Sequence, residues 1–328
     1  MGFAKVRLFV DQPLGPGQPV ALSEGQAHYL RSVMRLGAGA QVLLFNGRDG
    51  EWRARLDPAG RRQARLVAEV QTAPLRLPPD LWLVFAPLKK ARTDYIVEKA
   101  VELGAARILP VQTRFTNADR IRQDRLQAHA VEAAEQCGGT YVPPVDDLQP
   151  LDRLLDGWPA GRRLMWCDEH LVGQAVALPG IGATTQWGGR ADDAGAVPGG
   201  APPPPSPPHK GEGRREIGGT SPDLSGAGRV AGFDGDAGPA SPRPPSPPWG
   251  GDGGEGHPGS HALATRRPAS GPWAILIGPE GGFAEAEQVR IRAMPGVHPV
   301  SLGPRILRAD TAAVAALTLW QAALGDWG

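Results

Sequence analysis

Ile275-Leu-Ile-Gly-Pro-Glu-Gly-Gly-Phe283 and, about twenty residues further on, Ser301-Leu-Gly-Pro-Arg-Ile-Leu-Arg-Ala-Asp-Thr-Ala312 share one design. Each is an apolar run that ends in a glycine-bearing turn and opens a helix-type pattern. At such turns main-chain amides approach a ligand with no Cβ in the way. One loop of this kind is an ordinary strand-to-helix turn. Two of them converge on one small molecule at the C-terminal edge of a parallel sheet, and so predict an α/β fold with a cofactor pocket there.

The rest of the C-terminal part agrees. Leu81-Trp-Leu-Val-Phe-Ala86, Arg107-Ile-Leu-Pro-Val111, Arg163-Leu-Met-Trp-Cys167, Trp273–Ile277 and Val297–Leu302 read as strands. Between them lie helix patterns at Thr93–Leu103, capped by Thr93 or Asp94 and stopped at Gly104, at Arg122–Cys137, near Glu285–Met294, and from about Thr311 to Leu324. Alternating strands and helices imply a parallel sheet. Residues 1–72 follow a different regime, with short β-type runs at Val6–Val10, Gln41–Asn46 and Gly50–Leu56 and turn signals at Asn46-Gly47 and Arg48-Asp49-Gly50. A single helical stretch, Ser23–Leu36, interrupts them. This predicts a small β-barrel-like domain with one helix, joined to the second domain through the proline-rich Pro74–Pro79.

The chain has 328 residues with 45 glycines and 35 prolines, and most of that excess falls between Leu178 and Ala269. So little apolar side chain cannot offset the entropy of ordering, so about 178–269 is expected to be a disordered insertion between two strands of one domain. It contains an imperfect repeat, Pro204-Pro-Ser-Pro-Pro-His-Lys-Gly-Glu-Gly213 and Pro244-Pro-Ser-Pro-Pro-Trp-Gly-Gly-Asp-Gly253.

Net charge is +1, but residues 1–80 hold 11 Lys/Arg against 7 Asp/Glu. The basic N-terminal part fits either phosphate contacts or a solvated surface. Two cysteines, Cys137 and Cys167, have neither metal-ligand nor disulfide-framework spacing, and His28, His129 and His170 are scattered. No metal is expected. No apolar run nears the roughly 18 residues that span a bilayer, so a cytoplasmic protein with no membrane partner is expected.

With these motifs placed, the chain resembles the RsmE family, the SPOUT-class 16S rRNA (uracil-N3)-methyltransferases. The resemblance is carried by Arg7-Leu-Phe-Val10, His28-Tyr-Leu-Arg-Ser-Val-Met-Arg-Leu36, Lys99-Ala-Val-Glu-Leu-Gly104 and Glu135-Gln-Cys-Gly138. It is completed by Ile277–Phe283 and by Leu302–Arg308 with Thr311-Ala312. It implies a PUA-like RNA-binding domain (1–72) ahead of a trefoil-knotted methyltransferase domain (73–328) that binds S-adenosylmethionine and forms a homodimer. The implied substrate is one uridine of 16S rRNA in the small ribosomal subunit, methylated at N3. The chain departs from the family at Asp310, where glutamate is common.

Transfer of a methyl group to uracil N3 requires an in-line approach, stabilisation of anionic charge on the pyrimidine, and a proton acceptor. On the resemblance, Ile277, Gly278, Gly281, Gly282, Leu302, Gly303, Ile306, Leu307, Arg308 and Thr311 hold the cofactor. Arg308 and Arg114 face the base, and Glu280, Glu135 or Asp310 takes the proton, Glu280 being the catalytic candidate. Arg7, Arg31 and Arg35 are candidates for RNA phosphate. Two other readings stay open from the residues alone: a non-catalytic RNA-binding or ribosome-assembly protein, and a related knotted methyltransferase acting on another RNA.

Overall fold

The computed structural model describes residues 6–57, 65–118, 120–173 and 271–327, so the insertion expected at about 178–269 lies outside the described residues. The N-terminal part comprises β1 (Arg7–Phe9), β2 (Pro19–Ala21), α1 (Glu24–His28) with a π-helical turn Tyr29–Val33, β3 (Gln41–Phe45), β4 (Glu51–Asp57) and β5 (Arg65–Ala73). The strands form one sheet in the order β1-β3-β4-β5-β2, parallel at β1–β3 and antiparallel elsewhere. Side chains alternate across a strand. Trp52, Ala54 and Leu56 of β4 therefore all face one core, together with Val42, Leu44, Leu66, Ala68 and Leu30 of the π-helical turn. Ser23 caps α1 through a reciprocal pair with Gln26, each side chain bonding the other residue's amide.

The C-terminal part comprises β6 (Leu81–Phe85), α2 (Lys90–Glu102), β7 (Arg107–Gln112), α3 (Gln123–Cys137), β8 (Gln149–Pro150) and α4 (Leu151–Asp156). β9 (Arg163–Cys167), β10 (Trp273–Ile277), α5 (Glu285–Arg292), β11 (Val297–Val300) and α6 (Ala309–Leu324) follow. All six strands run parallel, in the order β11-β9-β10-β6-β7-β8. Both faces are covered, which is why these strands read as unbroken apolar runs. Leu81, Leu83 and Phe85 join Ile275 and Ile277 under α2, α3 and α6, whereas Val84, Leu109, Leu164, Trp166 and Leu276 pack beneath α4 and α5. Removing one of these buried aliphatic side chains costs about 2–5 kcal/mol.

α2 begins three residues before Thr93 and lacks a side-chain cap. The Thr93 hydroxyl instead donates to the carbonyl of Leu88 and accepts from its amide, while Asp94 takes a 2.7 Å bond from Arg125. Neither residue is the cap that its type and place predict. β2, β5, β8 and α4 add elements that the sequence pattern does not announce. Among the described residues no helix is long and apolar enough to cross a membrane, and no group of three or more His, Cys, Asp or Glu is arranged to hold a metal ion.

Candidate functional site

Because the strands are parallel, the segments after β6, β7, β9, β10 and β11 all emerge on one edge of the sheet. The loop after β10 turns tightly, with the Gly282 amide bonding the Pro279 carbonyl at 3.0 Å. Gly282 has φ +69°, and a Cβ placed there would lie 2.0 Å from Glu169 Oε1. Both the backbone and the neighbour demand glycine. Gly281 packs against Phe115, which follows Arg114 at the end of β7, and the Arg114 amide donates to Glu287 at 2.8 Å. The first loop and the Arg114 segment are thus in contact.

In the second loop, after β11, the Ser301 hydroxyl lies 3.3 Å from the Gly303 amide, and the Gly303 carbonyl accepts from Gly173. Gly303 has φ +116° and nothing within 4 Å where a side chain would project. Ile306 is 79% exposed, whereas Leu302 and Leu307 pack partly on the core. Arg308 is exposed at the start of α6, and Thr311, also exposed, donates its amide to Asp310.

The first loop and the start of α6, which follows the second loop, are joined by a residue that sequence reasoning missed. Arg92, in the first turn of α2, bonds both oxygens of Asp310, at 2.8 and 3.0 Å, and pairs with Glu280 of the first loop. The guanidinium holds the Asp310 carboxyl below the usual aspartate range, and the two carboxylates raise the Arg92 pKa further. One signal was available in the sequence. Lys89, Lys90 and Arg92 stand at the start of a helix with no acidic residue in its first turn, against the preference of the helix dipole.

The end of β9 was also overlooked. Asp168 is buried, accepts from the His170 amide at 3.0 Å, and lies 2.9 Å from His170 Nδ1 and 3.2 Å from Arg292. Glu169 is next to it, with its carboxyl pushed up by burial. Cys167 is half-buried at the end of β9, and desolvation pushes its thiol up to about 12, away from the thiolate that a nucleophile requires.

Three sequence-based assignments change. The Arg7 guanidinium is only 12% exposed and bonds Glu51, the Ala134 and Glu135 carbonyls at the end of α3, and the Gly139 carbonyl. All its donors face inward, so it is a fastener between β1 and α3 and not a phosphate contact. Glu135 belongs to the same joint, accepting the Phe9 amide at 2.8 Å, and is no proton acceptor for the site. The Ile277 side chain is 2% exposed and its carbonyl accepts from Ala86, so it supports the first loop from the core and does not wall a ligand slot. Arg31 and Arg35 flank the exposed Val33 of the N-terminal helical segment, and Arg35 adopts φ +54°, unusual for a side chain of its size.

A family model described as an RNA methyltransferase domain matches residues 75–185 and 254–321, and one described as an RNA methyltransferase PUA domain matches residues 22–69. The ribosomal RNA small subunit methyltransferase E of Rickettsia conorii is 27% identical over 140 residues, 42% of this chain and 57% of that protein. The Synechocystis protein of the same name is 33% identical over 128 residues, 38% of this chain and 42% of that protein. The chain thus spans about half the length of these two curated relatives. Among solved structures, ribosomal RNA small subunit methyltransferase E from Neisseria gonorrhoeae, bound to S-adenosyl methionine, superposes with a TM-score of 0.65. At 21% identity, over 98% of this chain and 99% of that one, the likeness shows a shared fold. On the two family models, the chain belongs to the RNA methyltransferase family, with a PUA domain ahead of the methyltransferase domain.

Proposed function

We propose that the protein methylates uracil N3 of one uridine of 16S rRNA, using S-adenosylmethionine, in the small ribosomal subunit and in the cytoplasm. The observation that carries this reading is the emergence of the loops after β10 and β11 on one sheet edge, with Arg92 tying the first of them to the helix that follows the second, in a chain of this family.

The residues present fit the cofactor. Gly303 leaves open space beside its backbone, and Ile306 with Leu302 and Leu307 offers apolar surface for an adenosyl group. Glu280 and Asp310 outnumber Arg92 in charge, which suits a cationic sulfonium. Gly278, Gly281, Gly282, Leu302, Gly303, Ile306, Leu307, Arg308 and Thr311 are the residues proposed to hold it. When bound, S-adenosylmethionine supplies a methyl group already activated by its sulfonium.

The protein then has to place N3 in line with that methyl group and manage one proton. Arg308 and Arg114, exposed on the same edge, stabilise the negative charge on the uracil oxygens as the N3 proton leaves. Glu280 accepts that proton, directly or through water. Asp310 is less suited to this task, because Arg92 holds both of its oxygens and only one of those of Glu280. Arg31 and Arg35 of the N-terminal domain contact RNA phosphates, which orient the substrate and carry no sequence information themselves. The trefoil knot and the homodimer implied by the resemblance belong to the same proposal, with the half-exposed Val314, Ala315, Thr318 and Leu319 of α6 as a seam for a second copy.

The test is methyl transfer from labelled S-adenosylmethionine to small subunits lacking the modification, followed by nucleoside mass spectrometry. N3-methyluridine is the expected product. Methylation at another atom or only of another RNA overturns the assigned substrate, and failure to bind the cofactor at all overturns the enzyme reading in favour of an RNA-binding assembly protein.

A further inference from the structure

We propose that Arg92 is a positioning residue that locks the loop after β10 to the start of α6 and thereby sets the affinity of the site for S-adenosylmethionine; this rests on the function proposed above. Its partners lie 188 and 218 residues away in sequence, on two different elements. No local geometry of α2 requires them to meet.

The stability of the fold does not account for the cluster. Arg92 and Asp310 remain 25% and 20% exposed and Glu280 is more open still, so the group sits on the rim in contact with water. Exposed ion pairs of this kind contribute little to folding, and three long side chains must be ordered to make this one. A cation in the first turn also opposes the dipole of α2, and Lys89 and Lys90 beside it add like charge. An arrangement that costs the helix something and gives the core little is expected to serve the surface it shapes.

The shape follows from the guanidinium. Its planar fork grips both Asp310 oxygens at once and so fixes an angle as well as a distance, while its remaining edge reaches Glu280. Glu280 stands between Gly278 and Gly282 at an exposed tip, and Arg92 is the partner that holds its side chain. Without Arg92 that tip and the start of α6 move independently, and a cofactor has to order both as it binds. Holding them in advance removes that cost from binding.

The experiment uses the full chain and titration calorimetry with S-adenosylmethionine, alongside thermal melting and steady-state kinetics. Arg92→Ala is expected to weaken cofactor affinity by about tenfold or more and to raise the KM for cofactor more than it lowers kcat, with a melting shift of only about 2 °C. Arg92→Lys, which keeps the charge and loses the fork, should recover part of the affinity. Asp310→Asn should match Arg92→Ala, and the double variant should be no worse than either single one. Wild-type affinity in a folded Arg92→Ala protein overturns the inference, as do additive losses in the double variant. A melting loss in parallel with the affinity loss, unrelieved by Arg92→Lys, assigns Arg92 to the fold instead. If Arg92→Ala does not fold, Arg92→Lys and Asp310→Asn decide the matter by the same readouts. A wild-type chain that binds no S-adenosylmethionine sinks the proposed function itself, an outcome distinct from all of these.

Discussion

Arg7 and Arg92 each bridge elements far apart in sequence, yet they hold different things. Arg7 is the more enclosed, grips three main-chain carbonyls around the end of α3 and the carboxylate of Glu51, and lies over the Phe45 ring at 4.3 Å. Arg92 grips only side-chain carboxylates, at a rim open to water. Carbonyls at a helix end are fixed by the helix and carry its negative dipole end, so a cation there welds two rigid bodies. A carboxylate on a loop tip is movable, and a cation that ties it to the first turn of a helix organises a surface. The first arrangement belongs to the fold, and the second to what the fold presents.

The comparison is most exposed to failure at Arg7. Arg7→Ala leaves Glu51 and three carbonyls of the joint without their partner, and charged hydrogen bonds of this kind are worth about 1.5–3 kcal/mol each before relaxation. We expect a loss of about 3 kcal/mol in urea denaturation, with the cofactor affinity of the remaining folded protein unchanged. A loss below about 1 kcal/mol, or one accompanied by weakened cofactor binding, would erase the distinction between the two arginines.

On the rim, Gly282→Ala sharpens the same contrast at smaller cost. The left-handed backbone at Gly282 disfavours alanine by about 1–2 kcal/mol, and the new methyl group would press on Glu169. Relative to Arg7→Ala, the ratio of effects should invert, with a modest fall in melting temperature and a large fall in cofactor affinity. Equal damage to both properties would mean that the first loop is as much a part of the core as the joint is.

These two regions also mark where the sequence could be read. β6, β9 and β10 were legible because both faces of the sheet are covered and the strands are apolar throughout. β5 was not, since only Leu66 and Ala68 are buried among its nine residues and the rest look like loop. Thr93 and Asp94 have the chemistry of caps, but tertiary partners at Leu88 and Arg125 claim them, and the start of α2 was therefore misplaced by three residues. The two glycine loops were found because a turn is a local event. Arg92 was not, because the one local signal, a basic helix start, is shared with Lys89 and Lys90, and its partners come from the far end of the chain. Arg7 was taken for a phosphate contact for the same reason, since a count of charges does not reveal which guanidinium points inward.

The smallest expected effect separates the regions by pH. Burial raises the Glu135 carboxyl above its ordinary value, the Phe9 hydrogen bond and the nearby Arg7 offset this in part, and Glu132 adds to it. A raised carboxyl contributes stability that is fully present below the unfolded glutamate value of about 4.3 and is lost as pH rises through the folded value. Asp310 behaves in the opposite sense. Its lowered carboxyl contributes stability above the unfolded value, lost as pH falls through the folded one. The joint therefore weakens as the solution turns neutral, and the rim weakens as it turns acid. Glu135→Gln keeps an oxygen for the Phe9 amide and removes the charge, so urea midpoints for the variant should gain on wild type between pH 4 and pH 7, by well under about 1 kcal/mol. Asp310→Asn should lose ground on wild type as pH rises to about 4 from below, and hold level from there to pH 7. If both variants drift in the same direction, burial and not the neighbouring arginine dominates at the rim, and Arg92 is holding Asp310 less firmly than its two bonds imply.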